Sequence, residues 1–362
     1  MNLKDRHMRL RMVKKELKFG DVAAAPGQLR CGYIRGVELD FMDFDIPVML
    51  ANGLHDGPTL SITAAVHGTE IIGGEIIRRI LREQIDIKEL HGAVIAVPVS
   101  NILGFTWHEH VTPHDGVNMA QVFPGDPNGS LTRRLAHKIW TEVVLSSQYN
   151  IDIHHCGGPP AMPYVWCKSE IARNVETSEK ALGMAKAVGL TLLHQGKDPF
   201  WGPSLWGSLT DATMMKGIPS VTIELDAPMG RVPNTIVEVG VRGTLNAMKY
   251  LKMIPGEIEK HPEDVHIIPG EFVMKASQFP RTTRGGVMII DRSPGEFIAR
   301  GETIATVYDI FGEKLEEVKM PVDGYVWSYS SALVHEGSVV AYVFGKWDPE
   351  SMRGFKVPSL TS

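Results

Sequence analysis

The sequence lacks several features that would assign it to a specialised class of protein. Its 362 residues contain three cysteines (Cys31, Cys156 and Cys167), too few for a disulfide framework and compatible with a reducing cytosol. No apolar run approaches the ~18 residues of a membrane span, and the N-terminal segment has no apolar stretch typical of a secretory signal. These absences predict a cytoplasmic protein that does not enter a membrane.

A strong excess of charge of one sign is also missing. The formal net charge is −5, from 37 basic and 42 acidic residues, and the basic residues form no stripe. Proteins that bind nucleic acids concentrate Lys and Arg on one face, so we expect no nucleic-acid partner. With 43% hydrophobic and 22% charged residues, the composition is that of an ordinary globular protein long enough for two domains.

The chain does contain a regular alternation of apolar runs and helical patterns up to about residue 255. The runs typical of buried strands cover 59–66, 93–99, 149–155 and 219–226. Helical spacing of apolar residues covers 131–143, 177–188 and 234–253. This alternation predicts a mainly parallel, or mixed, sheet with helices on both faces.

Two candidate metal ligands lie where the first of these strands ends. His67 directly follows the run 59–66, and Glu70 lies in the turn before helical spacing begins at Ile72. Folds of the α/β class place their sites at the carboxyl edge of the sheet, and imidazole and carboxylate are both good zinc ligands. Taken alone, a His and a Glu at this spacing more often have a structural role than bind a metal. The prediction of a catalytic metal site therefore requires a third ligand and a base.

Two further strands end in residues of the required types. The segment YNIDIHH (149–155) places His154 or His155 at its end, and PSVTIELD (219–226) contains Glu224 between alternating apolar residues. By itself, Glu224 is typical of a solvated residue on an edge strand. Gly217 and Pro219 just before the run instead favour a strand that enters the interior of the sheet. A carboxylate in that position needs a partner or a function.

Asp152 and Cys156 flank the histidine pair. We expect Asp152 to be an acceptor that orients a neighbouring ligand, although we place it on the opposite face of the strand from His154. Cys156 is interpreted as a small buried thiol rather than a metal ligand.

These motifs resemble those of the succinylglutamate desuccinylase/aspartoacylase family, which belongs with the zinc carboxypeptidases. The resemblance runs from about residue 20 to about residue 345 and rests on HGTE at 67–70, FPG at 123–125, DIH at 152–154 and TIEL around 224. It implies an α/β fold with a three-layer, mixed-sheet, zinc-carboxypeptidase-like domain. It also implies one Zn²⁺ per chain, held by His67, Glu70 and His154, with Glu224 as general base. His155 stands where the family often has threonine, which makes it a neighbour rather than a ligand.

The sequence changes character after Pro255-Gly256. From His266 to Phe344, short β-rich runs alternate with glycine-containing turns, a pattern typical of a compact all-β module. The module resembles the lipoyl-like β-sandwich appended to many members of the family. We therefore expect a zinc hydrolase domain with an N-terminal β extension over residues 1–258 and a β-rich accessory domain over 259–362. We also expect the chain to form a homo-oligomer.

The chain departs from the family pattern where the family binds substrate. The segment NMAQ at 118–121 replaces a DLNR-like run, whose Asn-Arg pair grips a substrate carboxylate. His110, in a histidine-rich segment equally compatible with a polar surface loop, lies near the position of an arginine that stabilises the oxyanion. His110 can still stabilise an oxyanion, whereas Gln121 can hydrogen-bond only a neutral group well. Arg231 is the best remaining candidate to grip a carboxylate.

Four tryptophans lie in segments that flank the expected site: Trp107, Trp166, Trp201 and Trp206. Indole rings there favour an apolar pocket that accepts aromatic groups, and we take Trp166 as a substrate contact. For each tryptophan alone, packing beneath a long connection is the alternative interpretation.

The sequence therefore predicts a zinc-dependent amidohydrolase that removes an acyl group from a small-molecule amide. A carboxypeptidase-like protease is the alternative among enzymes, and the loss of the Asn-Arg clamp disfavours it. A non-catalytic protein that keeps the fold and the metal is the alternative from another class. The missing arginines favour that alternative, whereas the complete ligand set and Glu224 disfavour it.

The missing arginines predict a weak preference for a carboxylate beside the scissile amide. A bidentate arginine–carboxylate contact would favour such substrates by roughly ten- to over a hundred-fold, more than one neutral hydrogen bond provides. We expect the kcat/KM ratio of acid over primary-amide analogues to stay within about tenfold. Steady-state kinetics on matched pairs measures this ratio. A much larger ratio that collapses in Arg231→Ala would instead assign the grip to Arg231.

Overall fold

A computed structural model describes residues 15–39, 41–156, 162–196, 207–227 and 230–353. The α-helices are α1 (Ile72–Arg79), α2 (Ile102–Trp107), α3 (Leu131–Lys138), α4 (Val175–Val188), α5 (Leu209–Lys216) and α6 (Asn234–Tyr250). One wider π turn follows α1 (Ile80–Gln84) and another follows α3 (Ile139–Val143). Within the described ranges, the helices are too short or too polar to cross a membrane.

The strands of the first part of the chain are β1 (Leu17–Phe19), β2 (Val22–Ala24), β3 (Gln28–Leu39), β4 (Met42–Asn52), β5 (His55–Ala64), β6 (His91–Val97), β7 (Tyr149–Cys156), β8 (Tyr164–Cys167), β9 (Thr191–His194) and β10 (Ser220–Asp226). Those of the second part are β11 (Glu271–Met274), β12 (Gly286–Ile290), β13 (Phe297–Ile298), β14 (Thr303–Tyr308), β15 (Lys314–Lys319), β16 (Gly324–Tyr329), β17 (Leu333–Val334) and β18 (Ala341–Lys346). The elements predicted from apolar periodicity are thus present, with ends that differ by a few residues.

Among the residues that the structure describes, the largest sheet has twelve strands in the order β13-β16-β18-β11-β9-β8-β10-β7-β5-β6-β4-β3. Strands β6, β5, β7 and β10 form one group in which adjacent strands are parallel, and β8, β9 and β11 form a second such group. The pairs β8–β10, β4–β6 and β3–β4 are antiparallel. The sheet is therefore mixed, as the sequence predicts.

Helices cover both faces of the central strands. On one face, α1, α4 and α6 bury apolar side chains such as Ile76, Met184 and Val241 against the sheet. On the other face, α2, α3 and α5 contribute residues such as Leu103 and Leu135 to a second core. Helices α1 and α3 bury their apolar residues because these recur at helical spacing and lie on one side, whereas α5 is buried over most of its circumference. This part of the described chain consequently has three layers.

The region after residue 258 forms two packed sheets. Strands β11, β13, β16 and β18 extend the twelve-stranded sheet, and β15-β14-β12-β17 form a separate four-stranded sheet. Apolar residues of both sheets, such as Ile304, Val326 and Phe344, share one core. Because β11 pairs in parallel with β9, the β-rich region continues the sheet of the preceding region. The division into two domains at residue 258 stays a prediction.

The turn after β5 is held against the start of α2. The backbone N–H groups of Ser100 and Asn101 donate to the carbonyls of Ala64 and Ala65, each over 2.9 Å. Gly68 packs so closely on α2 that a Cβ atom there would lie 2.0 Å from the carbonyl carbon of Gly104. The chain therefore needs a residue without a side chain between His67 and Glu70.

We expect Gly68→Ala to destabilise the fold by about 1–3 kcal/mol, since backbone atoms must move to accommodate the new methyl group. Urea denaturation measures the change in free energy of unfolding. Gly345→Ala is a matched control, because a Cβ atom there meets nothing within 4 Å. Equal free energies of unfolding for the two variants would show that the turn accommodates the methyl group without loss of stability.

Candidate active site

Parallel pairing of β5, β7 and β10 brings three chain segments to one edge of the sheet. Ala64, near the end of β5, aligns with Ile153 of β7, and His154 of β7 aligns with Glu224 of β10. Directly opposite residues on neighbouring strands project from the same face, about 4.8 Å apart. His67 follows β5 by three residues, so the candidate ligands and the candidate base converge at this edge.

Glu70 lies between the two histidines. Its Oε1 is 2.6 Å from Nδ1 of His67, and its Oε2 is 2.9 Å from Nδ1 of His154. One potential ligand atom from each of the three residues lies within 4.8 Å of the others. Among the residues that the structure describes, no other group of His, Cys, Asp and Glu is arranged to hold a metal ion.

The second nitrogen of each imidazole faces an oxygen acceptor. Nε2 of His154 is 2.9 Å from Oδ2 of Asp152, and Nε2 of His67 is 3.2 Å from Oδ1 of Asn118. Such acceptors fix the orientation of metal-binding histidines and leave the other nitrogen for the metal. The expectation that Asp152 lies on the opposite face from His154 is wrong, because residues two apart in a strand share a face.

The charges of the site favour a cation at its centre. Burial alone would raise the pKa of Glu70, but His67 and His154 hold this pKa well below its usual range. Burial alone would lower the pKa of His154, but Asp152 and Glu70 hold it well above its usual range. Two imidazoles and a carboxylate are a known ligand set of catalytic zinc, so the donor atoms present fit such an ion.

Glu224 differs from Glu70 in its electrostatic surroundings. The pKa of Glu224 is raised to about 8, chiefly by burial; the charge of His154 opposes the increase, and those of Glu70 and Asp152 add to it. A carboxyl group with a pKa near neutrality can both accept and release a proton under physiological conditions.

His110 stacks on one of the candidate ligands. Its ring lies 3.8 Å from that of His67, centroid to centroid, with 13° between the planes. One side of His110 remains exposed, but burial of the other side and the neighbouring charge of His67 lower its pKa to about 4. His110 is consequently neutral at physiological pH, a state in which its ring N–H can donate a hydrogen bond.

A cavity of about 540 Å³ opens over these residues. Gln121 and Trp166, both predicted substrate contacts, line it together with His110 and Glu224. Its wall also includes residues from the β-rich region: Trp327, Ser328, Tyr329, Ser330, Ser331 and Tyr342. The size and the aromatic lining are typical of a site for a small molecule.

Other predicted residues are placed differently. Arg231 is exposed and does not line the cavity, so its substrate role stays a prediction without a contact to support it. Trp107 is 63% exposed, and Trp201 and Trp206 lie outside the described residues. His155 is buried, and its backbone N–H donates to Oε2 of Glu70 over 3.3 Å, which gives it a supporting position.

Sequence reasoning missed a charged group in the cavity wall. Lys168 and Asp211 line the cavity, and Nζ of Lys168 is 2.7 Å from Oδ1 of Asp211. One part of this group has a sequence signature, since Ser208 and Asp211 form a capping box at the start of α5. Lys168 itself directly follows the short strand β8, which contains Tyr164 and Trp166 on the same face.

Comparison with known proteins assigns the family. The model of the succinylglutamate desuccinylase/aspartoacylase catalytic domain matches residues 56–251, more than half of the chain. The protein therefore belongs to the succinylglutamate desuccinylase/aspartoacylase family, as its motifs predict. The matched segment contains both histidines and both glutamates of the site.

One curated relative is the N-alpha-acetyl-L-2,4-diaminobutyric acid deacetylase of Halomonas elongata, 26% identical over 255 residues, which are 70% of this chain and 72% of the relative. Among solved structures, a succinylglutamate desuccinylase/aspartoacylase from Rhodobacter sphaeroides matches with a TM-score of 0.77 and 24% identity, over 89% of this chain and 95% of its own. The product-bound ectoine utilization protein EutE from Ruegeria pomeroyi matches with a TM-score of 0.75 and 21% identity, over 87% of this chain and 95% of its own. These structural matches establish the mixed α/β fold.

Proposed function

We propose that this protein is a zinc-dependent amidohydrolase that removes the acyl group from a small N-acylated compound. The observation that carries the proposal is the grouping of His67, Glu70 and His154, with Glu224 aligned beside His154, under one cavity. Family membership supports cleavage of an amide bond, and the Halomonas elongata relative is a deacetylase by name. The cavity volume favours a small substrate over a folded protein.

Zn²⁺ held by His67, Glu70 and His154 would polarise the substrate carbonyl and acidify a bound water molecule. Glu224 accepts the proton of the attacking water and passes it to the departing amine, because an amine is a poor leaving group until it is protonated. A carboxyl group suits both steps, since the same group must gain and then lose a proton.

His110 and the cavity wall act on other parts of the substrate. The neutral ring of His110, adjacent to His67, donates a hydrogen bond to the oxygen that becomes negatively charged as water adds. Trp166 provides an apolar face, and Gln121 at the exposed rim contacts a neutral polar group. Asp152 and Asn118 keep the two imidazoles in their orientations.

We also infer that the lipoyl-like β-rich region serves to close one side of the cavity. Trp327 supports this role, since its indole N–H donates to the carbonyl of Met162 over 3.0 Å and its ring meets Tyr164 edge-on. A cytosolic location and a homo-oligomeric state remain expectations from the sequence. None of the three cysteines is in a disulfide, which suits a reducing compartment.

The metal assignment predicts one zinc ion per chain. We expect His67→Ala and His154→Ala each to lose most of the bound zinc, because each removes one of three ligands. Elemental analysis of the purified variants measures the stoichiometry. His114→Ala is the matched control, since this exposed histidine lies away from the triad. Full zinc occupancy in both ligand variants would refute the assignment.

The reaction predicts release of free amine from N-acyl compounds by the zinc-loaded protein. We expect Glu224→Gln to keep the fold and the metal but to lower kcat by about 10²–10⁴-fold, because the amide cannot accept the proton. The control is Glu142→Gln, which changes a carboxylate of a partly exposed pair on the surface.

Amine-release assays on a panel of N-acyl compounds and peptides separate the possible functions. Turnover confined to the C-terminal residue of peptides would identify a carboxypeptidase-like protease. Zinc binding without turnover of any compound would identify a non-catalytic protein. Near-normal kcat in Glu224→Gln would place the base elsewhere.

A further inference from the structure

The cavity wall contains a cation that the proposed reaction does not use. Lys168 is the sole lysine or arginine among the described residues that line the cavity. Its side chain is only 7% exposed, and that of its partner Asp211 is 1% exposed. A buried charge requires a partner, and the pair satisfies part of that requirement. A purely structural pair would have all its hydrogen-bond donors and acceptors in use. A pair that also binds a ligand would have donors left over.

The hydrogen bonds between described residues do not use every donor of Lys168 and Ser208. The Lys168 ammonium has three donors, and in the described part of the chain it bonds Oδ1 of Asp211 at 2.7 Å and Oγ of Ser208 at 2.9 Å. Ser208 Oγ already accepts a second hydrogen bond, from the backbone N–H of Asp211. Its own hydroxyl hydrogen is therefore available to donate.

Asp211 is already engaged through both of its carboxylate oxygens. Its Oδ1 accepts from Lys168, and its Oδ2 accepts from the backbone N–H of Ser208 over 3.1 Å. These bonds hold Lys168 and Ser208 side by side at the start of α5, where the helix dipole adds partial positive charge. Two adjacent donors with positive charge are complementary to a carboxylate.

The position of the ammonium fixes which part of a substrate it can reach. Glu224 aligns with Tyr164 of β8, and Thr222 aligns with Trp166. The Lys168 ammonium lies over the ring of Trp166, 4.6 Å from its centroid. The row of Trp166, over whose ring the ammonium lies, is one two-residue step from the row of Glu224, roughly 7 Å along the strands. A substrate carboxylate directly beside the scissile amide would lie near Glu224, out of reach of the Lys168 ammonium.

We propose that Lys168 and Ser208 form a carboxylate-binding subsite that selects N-acyl compounds with an anionic group several bonds away from the scissile amide. The inference rests on the proposed function and narrows its substrate class. Trp166, under the ammonium, packs against the chain that joins the two ends of such a compound. Asp211 is a positioning residue, which holds the two donors in place.

Two compound pairs test the subsite. In N-acetyl-4-aminobutyrate the carboxylate is remote from the amide, and in N-acetylglycine it is adjacent. Each is compared with its own primary amide, so only the charge changes. For the zinc-loaded protein, we expect kcat/KM to favour the remote acid over its amide by about tenfold or more, since hydrogen bonds to charged groups are strong. The adjacent pair should differ much less.

Lys168→Met should abolish the preference for the remote acid, whereas Lys168→Arg should keep part of it. Lys138→Met is the matched control, because this lysine pairs with Glu142 on the surface. Removing one member of a buried pair is strongly destabilising, so the double variant Lys168→Gln/Asp211→Asn, which removes both charges, is tested in parallel. A preference that survives in any folded variant without the lysine would overturn the proposal.

Binding to the metal-free protein separates this proposal from the proposed function. Without metal the compounds are not cleaved, and isothermal titration calorimetry compares the affinities of N-acetyl-4-aminobutyrate and its amide. Tighter binding of the acid to the wild type, lost in the lysine variants, supports the subsite even if no compound is turned over. Equal affinities of acid and amide for the wild-type protein would refute the subsite, whatever the catalytic result.

Discussion

The bridge that Glu70 makes between His67 and His154 is the interaction on which the site depends. A carboxylate that is 5% exposed would be costly by itself, and the two imidazoles on either side compensate for its burial. The three residues come from a turn after β5 and from the end of β7, so the bridge forms only if these strands pair in their observed register. A shift of β7 by one residue would turn His154 to the opposite face of the sheet and leave Glu70 with one partner.

The same register brings the remaining residues into place. Glu224 and Thr222 on β10 align with His154 and Asp152 on β7 and with Tyr164 and Trp166 on β8. The candidate base Glu224 and the aromatic residue Trp166 therefore lie in two neighbouring rows on the same surface of the sheet. Because the β-rich region continues that sheet through β11, its tryptophan and tyrosine side chains reach the same cavity. The region thus forms part of the site wall.

The distribution of charge in the cavity differs between its two ends. Negative and ionisable groups surround the candidate metal site, where His110 is neutral because burial lowers its pKa. The buried cation Lys168 lies farther along the sheet and is held by Asp211 from the start of α5. Where the motifs of the family lead one to expect two arginines near the candidate metal site, this chain has His110 and Gln121. The lysine of the cavity wall is located elsewhere, and our two proposals therefore assign bond cleavage and charge recognition to different ends of the cavity.

The sequence by itself determined the central strands β5, β6, β7 and β10, the helices α1, α3, α4 and α6, and the residues at the strand ends. Apolar periodicity is a local property, and the carboxyl ends of parallel strands must converge, so His67, His154 and Glu224 were predictable as neighbours. Only the tertiary structure decided that Lys168 is among the described residues that line the cavity and that Arg231 is not. Lys168 meets Asp211 across 43 residues, and Trp327 meets Met162 across 165. Contacts at such separations depend on sheet order and strand register, which no local pattern of residues specifies.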